Sequence, residues 1–155
     1  MTQKIPEGFA TITPSLNING AAKAIETYMK ALGAKELYRM ECPSGSGKIM
    51  HACLQIGNSK IFLADTNPEM GCGAPSNSSF YLYMDDVDAA FKQARSAGLD
   101  EMMAPSDMFW GDRTGTVKDS FGNNWTLATH VRDVSPEEME KGRNEWMAKM
   151  KSKAA

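Results

Sequence analysis

The 155-residue sequence contains no apolar run approaching the roughly 18 residues of a membrane span. Its opening, Met1 to Gly8, lacks the apolar centre of a secretory leader. Cysteine is scarce: Cys42, Cys53 and Cys72 are odd in number and show no Cys-x-x-Cys spacing, which points to reduced thiols and a cytoplasmic location. Charge of one sign is lacking too. Seventeen Lys and Arg face nineteen Asp and Glu, a formal net charge of −2, so the clustered basic surface of a nucleic-acid binder is not expected. No glycine-rich loop joins a strand to a helix as in dinucleotide or S-adenosylmethionine sites, and the order of elements is not doubly wound. These absences leave a single soluble α+β domain over 1–155, with no cofactor, nucleic-acid or membrane partner expected.

What is present is said twice. Ser15 to Ile18 alternates and runs into an alanine-rich helix ending near Leu32-Gly33. The plan returns 66 positions later at Tyr81, with a second helix ending at Ala97-Gly98. Each helix is followed by strand-like segments, so the pattern predicts two βαβββ modules, 9–65 and 79–132, facing each other around a cleft. A Gly/Pro/Ser-rich linker, 66–78, joins them.

In the first module Phe9 to Ile18 reads as a half-buried strand, with Ile12, Pro14, Leu16 and Ile18 on one face. Gly33 stands where a left-handed helix cap is wanted. The Gly57-Asn58 turn predicts a hairpin in which Gln55 pairs with Lys60 and Cys53 with Phe62. That register places His51, Cys53, Gln55 and Phe62 on one face and Ala52, Leu54, Ile61 and Leu63 on the other. In the second module Ser79 to Met84 alternates, with Tyr81 and Tyr83 on one face. Asp85 or Asp86 caps the helix that follows. Strands are expected near Glu101–Met103, Thr114–Lys118 and Asn124–His130. Ser135-Pro136-Glu137-Glu138 is a capping box opening a C-terminal helix, 135–153, whose Trp146, Met147 and Met150 need burial on this domain or on a second subunit.

At Asp119-Ser120-Phe121-Gly122, a D-x-x-G turn before an alternating strand, the chain resembles the vicinal oxygen chelate superfamily of glyoxalases, bleomycin-resistance proteins and extradiol dioxygenases. Within it the chain is similar to the PhnB-like branch, through Ile12-Thr13-Pro14, Lys48 to Ala52, Leu63-Ala64-Asp65, Trp110 to Gly115 and Ala128-Thr129-His130. The resemblance implies two paired βαβββ modules, a homodimer, and in catalytic members a divalent metal held by four side chains. The matching positions here are Thr13, Phe62 or Leu63, Ser79 and Thr126. None is a conventional ligand for a divalent catalytic metal, so no metal is expected.

The inferred concave face instead carries Thr13, Ser15, His51, Cys53, Gln55, Phe62, Tyr81, Tyr83, Thr126 and His130, an amphipathic lining suited to a small organic molecule. His51 is the candidate general acid or base. Its bland alternative is a hydrogen-bonded pocket histidine. Phe62, Tyr81 and Tyr83 are candidate ligand contacts, and Trp110 with Arg113 could stack on a planar ligand and hold an anionic group. The alternative for Asp112 and Arg113 is that they pin their loop. Three functions follow: a metal-free small-molecule-binding protein with any catalysis open, a drug-sequestering resistance-type protein, and a metal-dependent enzyme with non-standard ligands.

Overall fold

A computed structural model describes residues 2–70 and 73–155; Cys72 lies outside them. The first unit comprises β1 (Ser15–Ile18), α1 (Ala21–Leu32), β2 (Lys35–Glu41), β3 (Ile49–Ile56) and β4 (Ser59–Asp65). The second comprises β5 (Ser79–Tyr83), α2 (Val87–Ser96), β6 (Asp100–Asp107), β7 (Asp112–Lys118) and β8 (Asn124–His130), followed by α3 (Pro136–Ala154). Each unit forms a four-stranded sheet of the same order, β1-β4-β3-β2 and β5-β8-β7-β6. In both, the first strand runs parallel to the last and the remaining pairings are antiparallel. The architecture is the expected α+β fold of two βαβββ units with a C-terminal helix.

Local chemistry explains the elements. Ala21, Ala24, Ile25, Tyr28, Ala31 and Leu32 recur at helical spacing and are all buried, so α1 turns a continuous apolar stripe inward. Its first turn is held by Asp65 at the end of β4, whose Oδ1 accepts from the backbone N–H groups of Gly20 and Ala21, each at 3.0 Å. In the second unit the Thr129 hydroxyl at the end of β8 accepts from the Val87 N–H at 2.9 Å, and Asp86 caps α2 through Ala89 N–H. The α3 capping box is complete: Ser135 Oγ accepts from Glu138 N–H, and the Glu138 carboxylate accepts from Ser135 N–H.

One core joins the units. The two helices pack on each other and on the helix-facing sides of both sheets, enclosing Leu16, Ile18, Leu54 and Leu63 of the first unit with Phe91, Val117, Trp125 and Leu127 of the second. At its centre the buried Asp119 carboxylate collects four donors. Tyr28 O–H at 2.6 Å and Trp125 Nε1–H at 2.9 Å reach Oδ2, while the backbone N–H groups of Phe121 and Asn123 reach Oδ1. Burial foremost, then the hydrogen bond to Asp119, pushes the Tyr28 hydroxyl far above the usual phenol range, so it stays a donor.

One expectation is corrected and another is met by a longer element. Phe9 to Pro14 is not strand: β1 begins at Ser15, its pairing reinforced by the bond from Phe62 N–H to Pro14 C=O, and Ile12 is 81% exposed. Phe9 leaves the sheet to pack on Phe62, with ring centroids 5.7 Å apart. The strand expected near Glu101–Met103 runs through Pro105 to Asp107, which is tolerated because β6 lies at a sheet edge. None of the residues of α3 is buried; Trp146 remains 40% exposed, its ring 6.4 Å from Phe109.

Removing the Tyr28 hydroxyl takes one donor from a buried carboxylate, so Tyr28→Phe is expected to lower unfolding free energy by about 1–3 kcal/mol. Asp119→Ala, which strands four donors, three of them in buried bonds, is expected to cost more than Tyr28→Phe. Urea unfolding followed by circular dichroism checks both, and equal midpoints for all three proteins would contradict the assignment.

Candidate functional site

The faces turned away from the helices are covered by aromatic side chains. In the first unit the hairpin pairs Gln55 with Lys60 and Cys53 with Phe62, the register set by the Gly57-Asn58 turn. A register shift between Met40 and Glu41 lets Ile49 enter the core, where its N–H donates to Asp65 Oδ2 at 2.7 Å, while His51 stays on the outer face. A second shift, between Glu36 and Tyr38, sets Tyr38 opposite Cys53 on that same face. The result is a row. Tyr38 O–H and His51 Nε2 are 2.9 Å apart, the His51 and Phe62 rings 4.7 Å, and Phe62 is followed by Phe9. Beneath the row Cys53 is fully buried, and burial raises its thiol above the usual range, so it is a poor nucleophile.

The second unit has a matching row. Trp125 and Leu127 point into the core, which turns Thr126, Ala128 and His130 outward. Val117 likewise turns Asp112, Thr114 and Thr116 outward. Ala128 and Thr114 are small, and Tyr81 and Tyr83 on β5 reach over this surface to Asp112. Their hydroxyls donate to Asp112 Oδ2 at 2.6 and 3.1 Å, and Trp110 Nε1–H donates to the Tyr81 oxygen at 3.2 Å. The Tyr81 and Tyr83 rings are 5.3 Å apart. Ala128 and Thr114 are buried, while Tyr83 is 66% exposed.

Asp112, only 3% exposed, also receives His130: Nδ1 lies 2.8 Å from Asp112 Oδ1, and Nε2 lies 2.9 Å from Asp133 Oδ1. Gly111 makes this geometry possible. Its φ of 98° folds the Met108–Asp112 turn, its carbonyl accepts from Val131 and Arg132 N–H, and a Cβ there would collide with the Arg132 carbonyl. Electrostatics follow. Burial alone would raise the Asp112 carboxyl, but hydrogen bonds from Tyr81, His130 and Tyr83 outweigh it and hold the group below the usual carboxylate range. The Asp133 and Asp112 carboxylates raise His130 above the ordinary imidazole value. Burial, then the bond to Asp112, pushes Tyr81 up to about 12, and the same bond raises Tyr83, so both phenols are neutral donors near pH 7.

Between the units runs a groove of about 480 Å³, walled by Ile12 to Pro14, by the Ile56–Ile61 turn and by Phe80 to Met84, along β5 and the residue after it. Tyr81 and Tyr83 belong to both the groove and the second row, and Lys60 is the charged side chain on its wall.

Of the site residues expected from the sequence, the structure brings Tyr81, Tyr83 and Trp110 together on one unit, and His51 with Phe62 on the other. Arg113 is not brought to the cleft. It lies on the helix side of β7, with its guanidinium on Asp88 of α2 at 2.8 and 2.9 Å and on Asp107 at 3.2 Å, and these carboxylates raise its already high pKa. Alternation is the reason: Asp112 and Arg113 are neighbours on a strand and must face opposite ways. His51 and His130 do not meet; each is bonded within its own unit. Asp65 is spent on the start of α1. Sequence reasoning missed Tyr38, because a register shift re-aims it, and missed the role of Asp112 as the hub of the second row, which strict alternation across Asp112 to Lys118 would have indicated.

The four positions that the family resemblance assigns to metal do not fit one. Phe62 presents a ring, Leu63 is buried in the core, Ser79 and Thr13 offer only hydroxyls, and Thr126 Oγ1 is 3.0 Å from Thr116 Oγ1. Among the described residues no group of three or more His, Cys, Asp or Glu is arranged to hold a metal ion.

Comparison with known proteins gives consistent relationships. The model of the Glyoxalase/Bleomycin resistance protein/Dioxygenase superfamily matches residues 9–127. A protein of Mycobacterium tuberculosis, described as uncharacterized, is 38% identical over 138 residues, covering 83% of this chain and 79% of the relative. Protein YjdN of Escherichia coli is 30% identical over 140 residues, covering 75% of this chain and 92% of the relative. Among solved structures, TioX from Micromonospora sp. ML1 aligns with a TM-score of 0.66 at 24% identity, covering 79% of this chain and 99% of TioX, a likeness of fold.

The His130 imidazole is expected to titrate with a midpoint above the ordinary value of about 6.5. Because its folded-state value is raised, its contribution to stability is fully present below about pH 6.5 and is lost as the pH rises through the folded midpoint. Asp133→Asn should move that midpoint down. Two-dimensional NMR of the imidazole protons measures it, and a midpoint at or below 6.5 in the unmodified protein would contradict the assignment.

Proposed function

Since the chain belongs to the glyoxalase/bleomycin resistance/dioxygenase superfamily, we propose that it is a PhnB-like member that binds a small organic molecule without the superfamily's divalent metal. The observation that carries this reading is the pair of aromatic rows, Tyr38–His51–Phe62–Phe9 and Trp110–Tyr81–Tyr83, on the surfaces where metal-dependent members keep their ligands. Aromatic side chains supply large contact area with little entropy to lose, and they favour planar partners. The groove alongside has the size of a small-ligand site.

In this reading Tyr81, Tyr83 and Trp110 form one wall and Phe62 contributes to the other. His51, oriented by the Tyr38 hydroxyl, is the acid or base on that second wall if the bound molecule reacts. Arg113, satisfied by two carboxylates on the far side of its sheet, serves the fold. We place the protein in the cytoplasm as a homodimer. The apolar residues that α3 leaves exposed, Trp146, Met147 and Met150, support pairing with a second copy.

A panel of planar aromatic compounds screened by thermal shift, followed by calorimetric titration of the hits, tests the proposal. Tyr83→Ala, Tyr81→Ala and Phe62→Ala are expected to weaken a hit about tenfold each, the scale of one lost aromatic contact with its buried area. Arg113→Ala should lower the melting temperature and leave affinity within about twofold. A hit insensitive to all three aromatic substitutions would refute the site.

A further inference from the structure

We propose that His130 is an oxyanion-binding residue, and that Asp133 is an internal carboxylate holding its place until a small organic anion, with an aromatic body lying on Tyr81 and Tyr83, displaces it. This rests on the small-molecule-binding reading above and names the ligand class.

The two bonds His130 makes are unequal. On the Nδ1 side Asp112 is nearly inaccessible and is fixed by two tyrosine hydroxyls as well as by the imidazole. A carboxylate bonded so completely does not move, and it sets both the ring's orientation and its charge. On the Nε2 side the acceptor is the Asp133 side chain, 103% exposed, on the chain between β8 and α3. An ion pair to a fully solvated carboxylate is weakly held and exchanges readily with other anions. The imidazole itself is half exposed, so its outward N–H is reachable as soon as Asp133 turns away.

The remaining surroundings favour an anion with an apolar body. The carboxylate that would repel it, Asp112, is offset by the imidazolium and by the Tyr81 and Tyr83 hydroxyls pointing at it. Both tyrosines also line the groove whose charged wall residue is Lys60, a cation. The other charged groups close in sequence are engaged elsewhere: Arg132 lies near Glu138 at 3.9 Å, and Arg113 is bonded on the opposite face of the sheet. A carboxylate or phenolate oxygen can replace Asp133 Oδ1 on Nε2–H, while the attached ring rests against the tyrosine faces. The exchange is one hydrogen bond for another; no covalent step is involved.

The test uses the full-length protein with 1-naphthoate as the probe and neutral 1-naphthamide as its isostere. Binding is followed by NMR at the His130 imidazole and the Tyr83 ring. We expect naphthoate to bind at least tenfold more tightly than naphthamide at pH 6, with this preference shrinking as the pH rises through the His130 midpoint. Compared at pH 5, where the imidazole is protonated in both proteins, Asp133→Asn should tighten naphthoate several-fold, because the competing carboxylate is gone. Glu137→Gln makes the same charge change nearby without touching the imidazole and should alter affinity by less than twofold. His130→Gln should abolish the preference. Equal binding of the two probes, or a weaker naphthoate complex in Asp133→Asn, would overturn the inference while leaving the aromatic walls as a neutral site. Absence of any Tyr83 or His130 response to either probe would overturn both.

Discussion

The Asp119 carboxylate is the constraint on which the arrangement depends. The two sheets share no strand pairing, so their relation rests on the shared apolar core, on the helix–helix contact within it, and on this buried anion. A carboxylate taken out of water must find donors, and it finds them in both units: Tyr28 on α1, Trp125 on β8, and two amides of its own turn. Trp125 stacks on Phe80 at 4.6 Å, and Phe80 is one step along β5 from Tyr81. Fixing Trp125 inward therefore fixes Tyr81 and Tyr83 outward. The core anion and the outer aromatic row are consequences of one strand geometry.

The repeated unit explains the rest of the site and its asymmetry. The same topological position, the end of the last strand of each sheet, satisfies the start of each helix, with a carboxylate in Asp65 and a hydroxyl in Thr129. One residue beyond Thr129 the second unit places His130, where the first unit's strand has already ended. The two outer faces diverge accordingly. The first row is stacked around a histidine bonded to a phenol, and the second is gathered around a buried carboxylate. Both cover the outer face of their own sheet with aromatic side chains, so two units of one topology present different chemistry without changing their strands.

Much of the fold was legible because its signals are local. The Gly57-Asn58 turn fixed the hairpin register, the alanine stripe marked α1, and the Ser135-Pro136 capping box marked the start of α3. Alternation correctly separated Tyr81 and Tyr83 from Phe80 and Leu82. What was not legible arose from departures from that period and from long-range pairing. Two register shifts between β2 and β3 brought Tyr38 onto His51. The convergence of Tyr81, Tyr83 and His130 on Asp112, with Trp110 on the Tyr81 oxygen, joins three stretches of chain whose neighbourhood follows only from the β5-β8-β7 order. Arg113 read as one ligand-holding cluster with Trp110, but its facing follows from the strand period, in which Arg113 and Asp112 point opposite ways. Phe9 to Pro14 alternates like a strand but finds no partner beyond Pro14.

The proposal that ligand recognition resides on the aromatic rows of the outer faces is open to direct test. Its most direct measurement is amide and aromatic NMR shift mapping of the full-length protein against a fragment library of planar aromatic compounds. Perturbations are expected to concentrate at Tyr81, Tyr83, Trp110 and His130, extending to His51 and Phe62 for the larger fragments. Perturbations centred instead on α3 or on the loop from Cys42 to Lys48, with the two rows silent, would contradict it.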